Sequence, residues 1–200
     1  MTQLNLLKLE ESEPRINISG LTYIPDFISA QKQDFLLSQI DQQSWLTDLK
    51  RRVQHYGYKY DYKARVVSND AYLGPLPNWL ASLSKKLHDN RIFPSVPDQV
   101  IVNEYLPGQG ISAHIDCVPC FADTIASLSL GSPCVMEFSN AKTGEKESFV
   151  LEDCSLIVLS GPARYEWQHA IPARKFDIIH GIKTERIRRV SLTLRNVILN

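Results

Sequence analysis

The second half of the chain is a succession of short apolar runs separated by turn-forming residues. From Gln99 onward the runs are VIVNEYL, GISAHID, TIASLSL, CVMEF, SFVLE, SLIVLSG, YEWQHAI and RRVSLTLRNVI. Runs of this length, rich in Val, Ile, Leu and Ser and separated by turns at intervals of about 8 to 12 residues, are typical of an all-β sandwich or barrel. The pattern therefore predicts a β core over residues 99–200.

The first half of the chain carries two helix signals. Ser29 can cap a helix that runs to about Gln42, and a second helix is expected to begin near Pro77. A chain of 200 residues fits one domain. We therefore predict a single, mainly β domain over residues 15–200 with flanking helices, in which residues 15–98 supply the helices and a substrate lid. Residues 1–14 are expected to form a loose tail.

Composition restricts the partners and the compartment. Equal numbers of basic and acidic residues (22 each) give a formal net charge of zero, which excludes a global attraction to nucleic acid or membrane. The sequence contains neither a membrane-spanning apolar run nor a secretory signal, so the expected location is the cytoplasm, with the nucleus as the alternative. All four cysteines are expected to be free thiols in a reducing compartment; zinc binding by Cys117 and Cys120 is the less favoured alternative.

His114 and Asp116 form a candidate metal site. Alternate side chains of a strand point to the same face, so both can reach one ion. His169, in a late predicted strand, can supply the third ligand, and His180 is the less favoured alternative. Two histidines and one carboxylate leave coordination positions open, which is the arrangement used for Fe(II) when O₂ and a co-substrate bind together.

Two arginines near the C-terminus indicate an anionic ligand. Arg189 and Arg195 are six residues apart in RVSLTLR, so they lie on one face of a strand whose other face is apolar. Arginine binds carboxylates through paired N–H donors, so a dicarboxylate is a suitable partner. Asn103 and Tyr105 also share a strand face and can add hydrogen bonds to the same ligand.

The order of these motifs resembles that of the AlkB-type 2-oxoglutarate/Fe(II) oxygenases. The similarity lies in N-x-Y-x-P-G from Asn103, H-x-D from His114, S-L-S-L-G from Ser127, G-P-x-R-x-x-W-x-H from Gly161 and R-x-S-x-T-x-R from Arg189. The resemblance implies a double-stranded β-helix (jelly-roll) core and an enzyme that uses Fe(2+), 2-oxoglutarate and O₂. It also implies that the iron ligands are His114, Asp116 and His169, and that the 2-oxoglutarate contacts are Arg189, Arg195, Asn103 and Tyr105.

Among these enzymes, the motif sequences are most similar to those of the branch that hydroxylates a modified wobble uridine in tRNA. The shared stretches include YLPGQGI, SLSLGS, VMEF and RKFD. In the DNA-repair branch an acidic residue follows the metal aspartate by two places, whereas this chain has Val118. The resemblance therefore implies hydroxylation or oxidative demethylation of a nucleic-acid base, with a modified nucleoside in tRNA favoured over a methylated base in DNA.

Basic and aromatic residues alternate in the predicted lid and suit a flipped or single-stranded base. The expected substrate contacts are Arg51, Arg52, Tyr56, Tyr58 and Trp167. Because the net charge is zero, we expect either a small footprint on the RNA or a partner protein that delivers it. Two alternatives remain: an oxygenase that acts on a protein or small molecule, and a non-catalytic β-sandwich binding module.

Overall fold

The computed structural model describes residues 17–47 and 49–199, and this part of the chain contains three α-helices and twelve strands. The helices are α1 (Ala30–Asp41), α2 (Asn78–Asp89) and α3 (Gly161–Tyr165). The strands are β1 (Leu21–Ile24), β2 (Val53–Tyr56), β3 (Gln99–Tyr105), β4 (Ile111–His114), β5 (Ile125–Gly131), β6 (Cys134–Asn140), β7 (Lys146–Leu151), β8 (Leu156–Leu159), β9 (Trp167–Ile171), β10 (Phe176–Ile179), β11 (Ile182–Glu185) and β12 (Arg189–Arg195). The tail expected at residues 1–14 lies outside the described residues.

The strands form three antiparallel sheets. The largest has the order β1-β8-β5-β12-β3-β2, the second has the order β4-β9-β6-β7, and β10 and β11 form a separate hairpin. Strand β12 therefore lies inside the six-stranded sheet, between β3 and β5, with Arg189 opposite Tyr105 and Ser191 opposite Asn103. This register places the two predicted anion-binding strands side by side.

The two larger sheets pack face to face around a shared apolar core. Ile157 and Leu159 from β8 meet Met136 and Phe138 from β6 in this core, together with Trp167 from β9. Neither sheet could leave such a face in water, because each buried side chain of this size contributes about 1.5–3 kcal/mol to folding. The mainly β architecture predicted for the second half of the chain is confirmed.

Helices α1 and α2 cover the outer face of the six-stranded sheet. Helix α1 begins where the sequence predicts, since the Ser29 hydroxyl accepts a hydrogen bond from the Lys32 backbone N–H at 3.2 Å. Helix α2 follows Pro77 and buries Leu80 and Leu87 completely. Within the described residues, no helix is both long enough and apolar enough to span a bilayer.

Strand β12 separates a second apolar cluster, which lies beneath the helices, from a polar cavity between the two sheets. Its even-numbered side chains, Val190, Leu192 and Leu194, pack in the core beneath the helices. Arg189 and Arg195 occupy the other face and line a cavity between the two sheets. The alternation read from RVSLTLR is therefore confirmed, and it fixes which way the arginines point.

A buried carboxylate, Glu104, connects β3 to the outer layer, which is the side of the six-stranded sheet that helices α1 and α2 cover. It accepts hydrogen bonds from the guanidinium groups of Arg52 and Arg188, and Arg188 also pairs with Asp41 on α1. Burial alone would raise the pKa of Glu104, but hydrogen bonds from the two arginines hold it below its ordinary value. Arg52 in turn stacks on Trp45, with 4.6 Å between its guanidinium carbon and the ring centre.

The expectation of four free thiols is wrong. Cys117 and Cys120 are joined in a disulfide, and Cys134 and Cys154 are the free, buried cysteines of the chain. The turn that follows Asp116 brings the Cα atoms of Cys117 and Cys120 to 5.3 Å, within the range that a disulfide spans. Bonded sulfurs cannot act as thiolate ligands, so this pair does not form the alternative zinc site.

Candidate active site

The fold brings the three predicted metal ligands together. His114 ends β4 and lies directly opposite His169 on β9, and their ring centres are 4.4 Å apart. Asp116 follows two residues after His114, and the ligand atoms of the three side chains all lie within 4.8 Å of one another. A side chain at Gly110, just before β4, would place its Cβ 2.1 Å from the Ile171 carbonyl oxygen at the end of β9. Glycine is therefore needed for this approach of the strands.

Hydrogen bonding orients His114 for coordination. Its Nδ1 lies 2.8 Å from the Ser112 carbonyl oxygen, and its Nε2 lies 3.5 Å from Asp116 Oδ1. A neutral imidazole that donates its Nδ1–H to a carbonyl keeps a lone pair on Nε2. That lone pair faces the carboxylate across the space that an ion would occupy.

The protonation states suit a divalent cation. Although burial by itself would raise the pKa of Asp116, the neighbouring Arg195 guanidinium holds it well below its ordinary value. Burial lowers the pKa of His169 from 6.5 to about 4, so its ring is neutral at neutral pH. One carboxylate and two imidazoles are donors that suit Fe(II), and the set therefore fits this metal.

His180 does not join this group. Its side chain is exposed and pairs with Glu152 at 3.1 Å. Of the two histidines considered as a third ligand, the fold brings only His169 to His114 and Asp116.

Arg189 presents unused hydrogen-bond donors to the cavity. Only 2% of its surface is exposed, and Nη2 donates to the Ser129 hydroxyl at 2.9 Å. Its Nε and Nη1 have no hydrogen-bond partner in the described part of the chain. A buried guanidinium is destabilising unless an anion accepts from its free N–H groups. The site therefore fits a carboxylate ligand at Arg189.

The Arg195 guanidinium, unlike that of Arg189, donates hydrogen bonds to two side chains. Its Nε donates to Asp116 Oδ2 at 3.1 Å and its Nη1 donates to Gln99 at 3.2 Å. It thus holds the predicted metal ligand from the opposite sheet. The even spacing in the sequence placed both arginines in one cavity but did not distinguish their contacts.

These groups share one cavity of about 510 Å³. Asn103 and Tyr105 line it beside Arg189, and the Tyr105 ring centre is 5.4 Å from the Arg189 guanidinium carbon. Asn103 accepts a hydrogen bond from Arg51 Nε at 2.9 Å. All seven residues predicted to contact metal or 2-oxoglutarate therefore lie around a single space.

Of the predicted substrate contacts, the structure places only Arg51 in this cavity. Arg52 points to the outer layer and binds Glu104, Tyr56 packs edge-on against Trp79, and Tyr58 packs against Tyr72. Trp167 is buried in the core between the sheets. These placements correct the expectation that Arg52, Tyr56, Tyr58 and Trp167 reach the substrate.

The register of β2 explains the difference between neighbouring lid residues. Val53 lies opposite Asn103, which lines the cavity, whereas Tyr56 lies opposite Val100, which faces the helices. Because strand side chains alternate, Arg51 shares the face of Val53, and Arg52 shares the face of Tyr56.

Five lid residues that were not among the predicted substrate contacts also line the cavity: Leu49, Lys50, Tyr60, Tyr62 and Arg65. Tyr60 and Tyr62 are two residues apart, and the Tyr62 ring centre lies 5.9 Å from the Arg51 guanidinium carbon. The basic and aromatic composition of the segment was the signal available in the sequence. It could not assign individual residues, because Tyr60 and Tyr62 lie beyond β2, where strand alternation no longer applies.

Comparison with known proteins agrees with this geometry. Residues 20–195 match the family model of the 2OG-Fe(II) oxygenase superfamily. An Arabidopsis thaliana protein named alkylated DNA repair protein ALKBH8 homolog is 37% identical over 92% of this chain and 60% of its own length. Mouse tRNA (carboxymethyluridine(34)-5-O)-methyltransferase ALKBH8 is also 37% identical, over 89% of this chain and 29% of its own length. The chain thus spans less than two thirds of either relative.

A solved structure, that of OsALKBH1, has the same fold. Its TM-score is 0.66 at 17% sequence identity, with 88% of this chain and 96% of that chain covered. The jelly-roll core implied by the resemblance is therefore confirmed. The chain belongs to the 2OG-Fe(II) oxygenase superfamily as an AlkB-type dioxygenase similar to the ALKBH8 branch, and its cofactors and co-substrates are Fe(2+), 2-oxoglutarate and O₂.

Proposed function

We propose that this chain hydroxylates or oxidatively demethylates a base in nucleic acid, and that its target is a modified nucleoside in tRNA. One observation carries the proposal: the metal ligands lie in a cavity whose lid side is basic and aromatic. The alternative target is a protein or small molecule, and nucleoside analysis of treated tRNA distinguishes the two.

The inner part of the cavity binds the reacting groups in this proposal. His114, Asp116 and His169 hold Fe(II), and the free N–H groups of Arg189 bind the far carboxylate of 2-oxoglutarate. Bound iron, together with 2-oxoglutarate and O₂, supplies the oxidising power that converts a substrate C–H bond to C–OH. The chain's own side chains fix the distance between this centre and the target carbon.

Arg195 keeps Asp116 ionised and oriented through its hydrogen bond to Oδ2. Asn103 and Tyr105 border the position of 2-oxoglutarate and can hydrogen-bond to it, as the sequence pattern predicts. The sheets enclose these groups on the side away from the lid, which keeps bulk water from the reacting atoms.

The lid side of the cavity suits a base and its phosphates. Lys50, Arg51 and Arg65 can attract the phosphate backbone, and Tyr60 and Tyr62 offer ring faces for stacking. The neutral net charge favours a short footprint or a partner protein that delivers the RNA. The name of the mouse relative describes a methyltransferase that acts on carboxymethyluridine 34 of tRNA; the similarity of this chain to that relative supports a modified uridine in tRNA as the target.

The direct test is nucleoside mass spectrometry. Purified chain, Fe(II), ascorbate, 2-oxoglutarate and total tRNA are incubated in air, and the digested nucleosides are compared with a reaction that lacks 2-oxoglutarate. We expect a modified uridine that gains one oxygen atom, with a matching amount of succinate. An unchanged nucleoside profile, accompanied by succinate formation with a peptide or metabolite pool, would favour the alternative target.

Charge reversal in the lid tests the nucleic-acid interface separately. Lys50→Glu with Arg65→Glu should weaken tRNA binding and reduce the slope of log K against log salt by roughly 0.7–0.9 for each phosphate that is no longer neutralised. The control, Lys85→Glu with Lys146→Glu, changes net charge equally at exposed positions outside the cavity lining. Equally weakened binding in both pairs would show that the cavity rim is not the RNA site.

A further inference from the structure

Arg164 is a buried cation without a buried counter-ion partner. Only 2% of its surface is exposed, and among residues 17–47 and 49–199 it makes no ion pair with a carboxylate. Its guanidinium instead donates to three backbone carbonyls, those of Asp116 at 2.9 Å, Cys117 at 3.2 Å and Phe121 at 3.4 Å. All three belong to the turn that begins with a metal ligand.

The position of Arg164 in the chain connects two ligand-bearing segments. It lies on helix α3, which ends at Tyr165, and β9 with His169 begins two residues later at Trp167. The hydrogen bond to the Asp116 carbonyl therefore joins the segment that carries an imidazole ligand to the main chain of the carboxylate ligand. Arg195 holds the Asp116 side chain from the opposite sheet. Between them, the two arginines fix both the backbone and the side chain of Asp116.

Burial of the Arg164 guanidinium by itself opposes folding. A cation taken out of water is destabilising unless its N–H groups are satisfied, and Arg164 Nε has no partner in the described residues. Arginine suits the position because its planar fork reaches several acceptors at fixed angles, which the point charge of lysine cannot do. All of its hydrogen bonds go to the backbone of one turn, next to a set of ligand atoms that must converge to within 4.8 Å.

We propose that Arg164 is a positioning residue of the metal site, which holds the Asp116–Phe121 turn so that the Asp116 carboxylate converges with His114 and His169. The inference rests on the proposed ligand set. It assigns no contact between Arg164 and the metal, the 2-oxoglutarate or the substrate.

Metal affinity tests the proposal without turnover. Mn²⁺ is titrated into the full chain under argon, and free Mn²⁺ is measured by electron paramagnetic resonance. Arg164→Met and Arg164→Lys should each raise the Kd for Mn²⁺ by about 10- to 100-fold, as is typical when groups that orient metal ligands are removed. The visible absorption of a Co²⁺-loaded sample should also change, because it reports the arrangement of the ligands.

Arg186→Met is the matched control. Arg186 is another buried arginine, with 6% of its surface exposed, but it pairs with Asp177 and lies outside the cavity lining. Its replacement should lower the melting temperature and leave the Mn²⁺ Kd within about threefold of wild type. The control thus separates a general decrease in stability from a defect in metal positioning.

The outcomes are distinct. Wild-type Mn²⁺ affinity in a folded Arg164 variant, as judged by circular dichroism, would overturn the proposal. If both Arg164 variants fail to fold, the residue serves the stability of the fold and the proposal is likewise overturned. If the wild-type chain binds no Mn²⁺ although it is folded, the ligand set itself is wrong and the proposed function falls with it.

Discussion

Replacement of Arg189 by methionine should strongly weaken 2-oxoglutarate binding without unfolding the protein. Arg189 is buried, and two of its three guanidinium nitrogens have no partner in the described chain. Methionine keeps much of the length and fills the site with an apolar side chain. The variant therefore removes the anion-binding donors together with the hydrogen bond from Nη2 to Ser129.

The expected size of the effect follows from the two free donors. A hydrogen bond to a charged group contributes about 1.5–3 kcal/mol, so removing two of them costs about 3–6 kcal/mol. Since about 1.4 kcal/mol corresponds to a tenfold change, the Kd for 2-oxoglutarate should rise by roughly 10²- to 10⁴-fold. The metal-free, ligand-free variant should be as stable as wild type or more so, because an unpaired buried charge has been removed.

Two measurements check the expected loss of 2-oxoglutarate affinity and the expected stability of the variant. Calorimetric titration of 2-oxoglutarate into Mn²⁺-loaded protein gives the Kd, and thermal melts with and without 2-oxoglutarate give the linked stabilisation. Ligand at 100 times its Kd should stabilise the wild type by about 2.7 kcal/mol and should leave the variant unchanged. Arg186→Met is the control, because Arg186 is also buried but pairs with Asp177 and lies outside the cavity lining.

The reasoning would be refuted by an Arg189→Met protein that binds 2-oxoglutarate within threefold of wild type. A fall in the melting temperature of the ligand-free variant by several degrees would contradict the expectation that this variant is at least as stable as wild type. It would show that the guanidinium contributes to folding despite its unused donors.

Three further predictions follow from the site and the turn beside it. Asp116→Ala should abolish both Mn²⁺ binding and succinate formation; full turnover in that variant would exclude Asp116 as a ligand. Burial lowers the pKa of His169 to about 4, so the folded state binds fewer protons than the unfolded state between pH 4 and 6.5. Urea unfolding of the metal-free protein should therefore show stability falling by roughly 1–3 kcal/mol as pH drops through this window, and His169→Phe should lack that dependence. Alkylation of the unfolded, unreduced chain should modify two of its four cysteines, and all four after reduction; four labels before reduction would contradict the Cys117–Cys120 bond.

Much of the site could be predicted from the sequence because it depends on the alternation of side chains along single strands. Arg189 and Arg195 share a face at any register that keeps RVSLTLR extended, and the same rule brings Asp116 to the side of His114. The helix starts at Ser29 and Pro77 follow from capping and fixed backbone geometry, which also act locally. Long-range folding was needed to bring His169 and the two arginines to His114 and Asp116.

The parts that were missed depend on contacts between distant segments. Arg51 and Arg52 are adjacent and chemically alike, and only the pairing of β2 with β3 decides which one reaches the cavity. Arg164 reads locally as a surface charge on a short helix, because its carbonyl partners lie 43 to 48 residues away. The disulfide was missed because the expectation of free thiols followed from the compartment rather than from the geometry of the turn.

The two faces of β3 make the catalytic pocket sensitive to the protein's exterior. Asn103 and Tyr105 border the cavity, while Glu104 between them is held from behind by arginines, one of which also binds helix α1 through Asp41. We therefore expect a substitution at Asp41, on the far side of the sheet, to weaken the support of the peptide segment that shapes the binding position of the co-substrate. Inactivating variants of this enzyme should consequently include positions that no inhibitor or substrate ever touches.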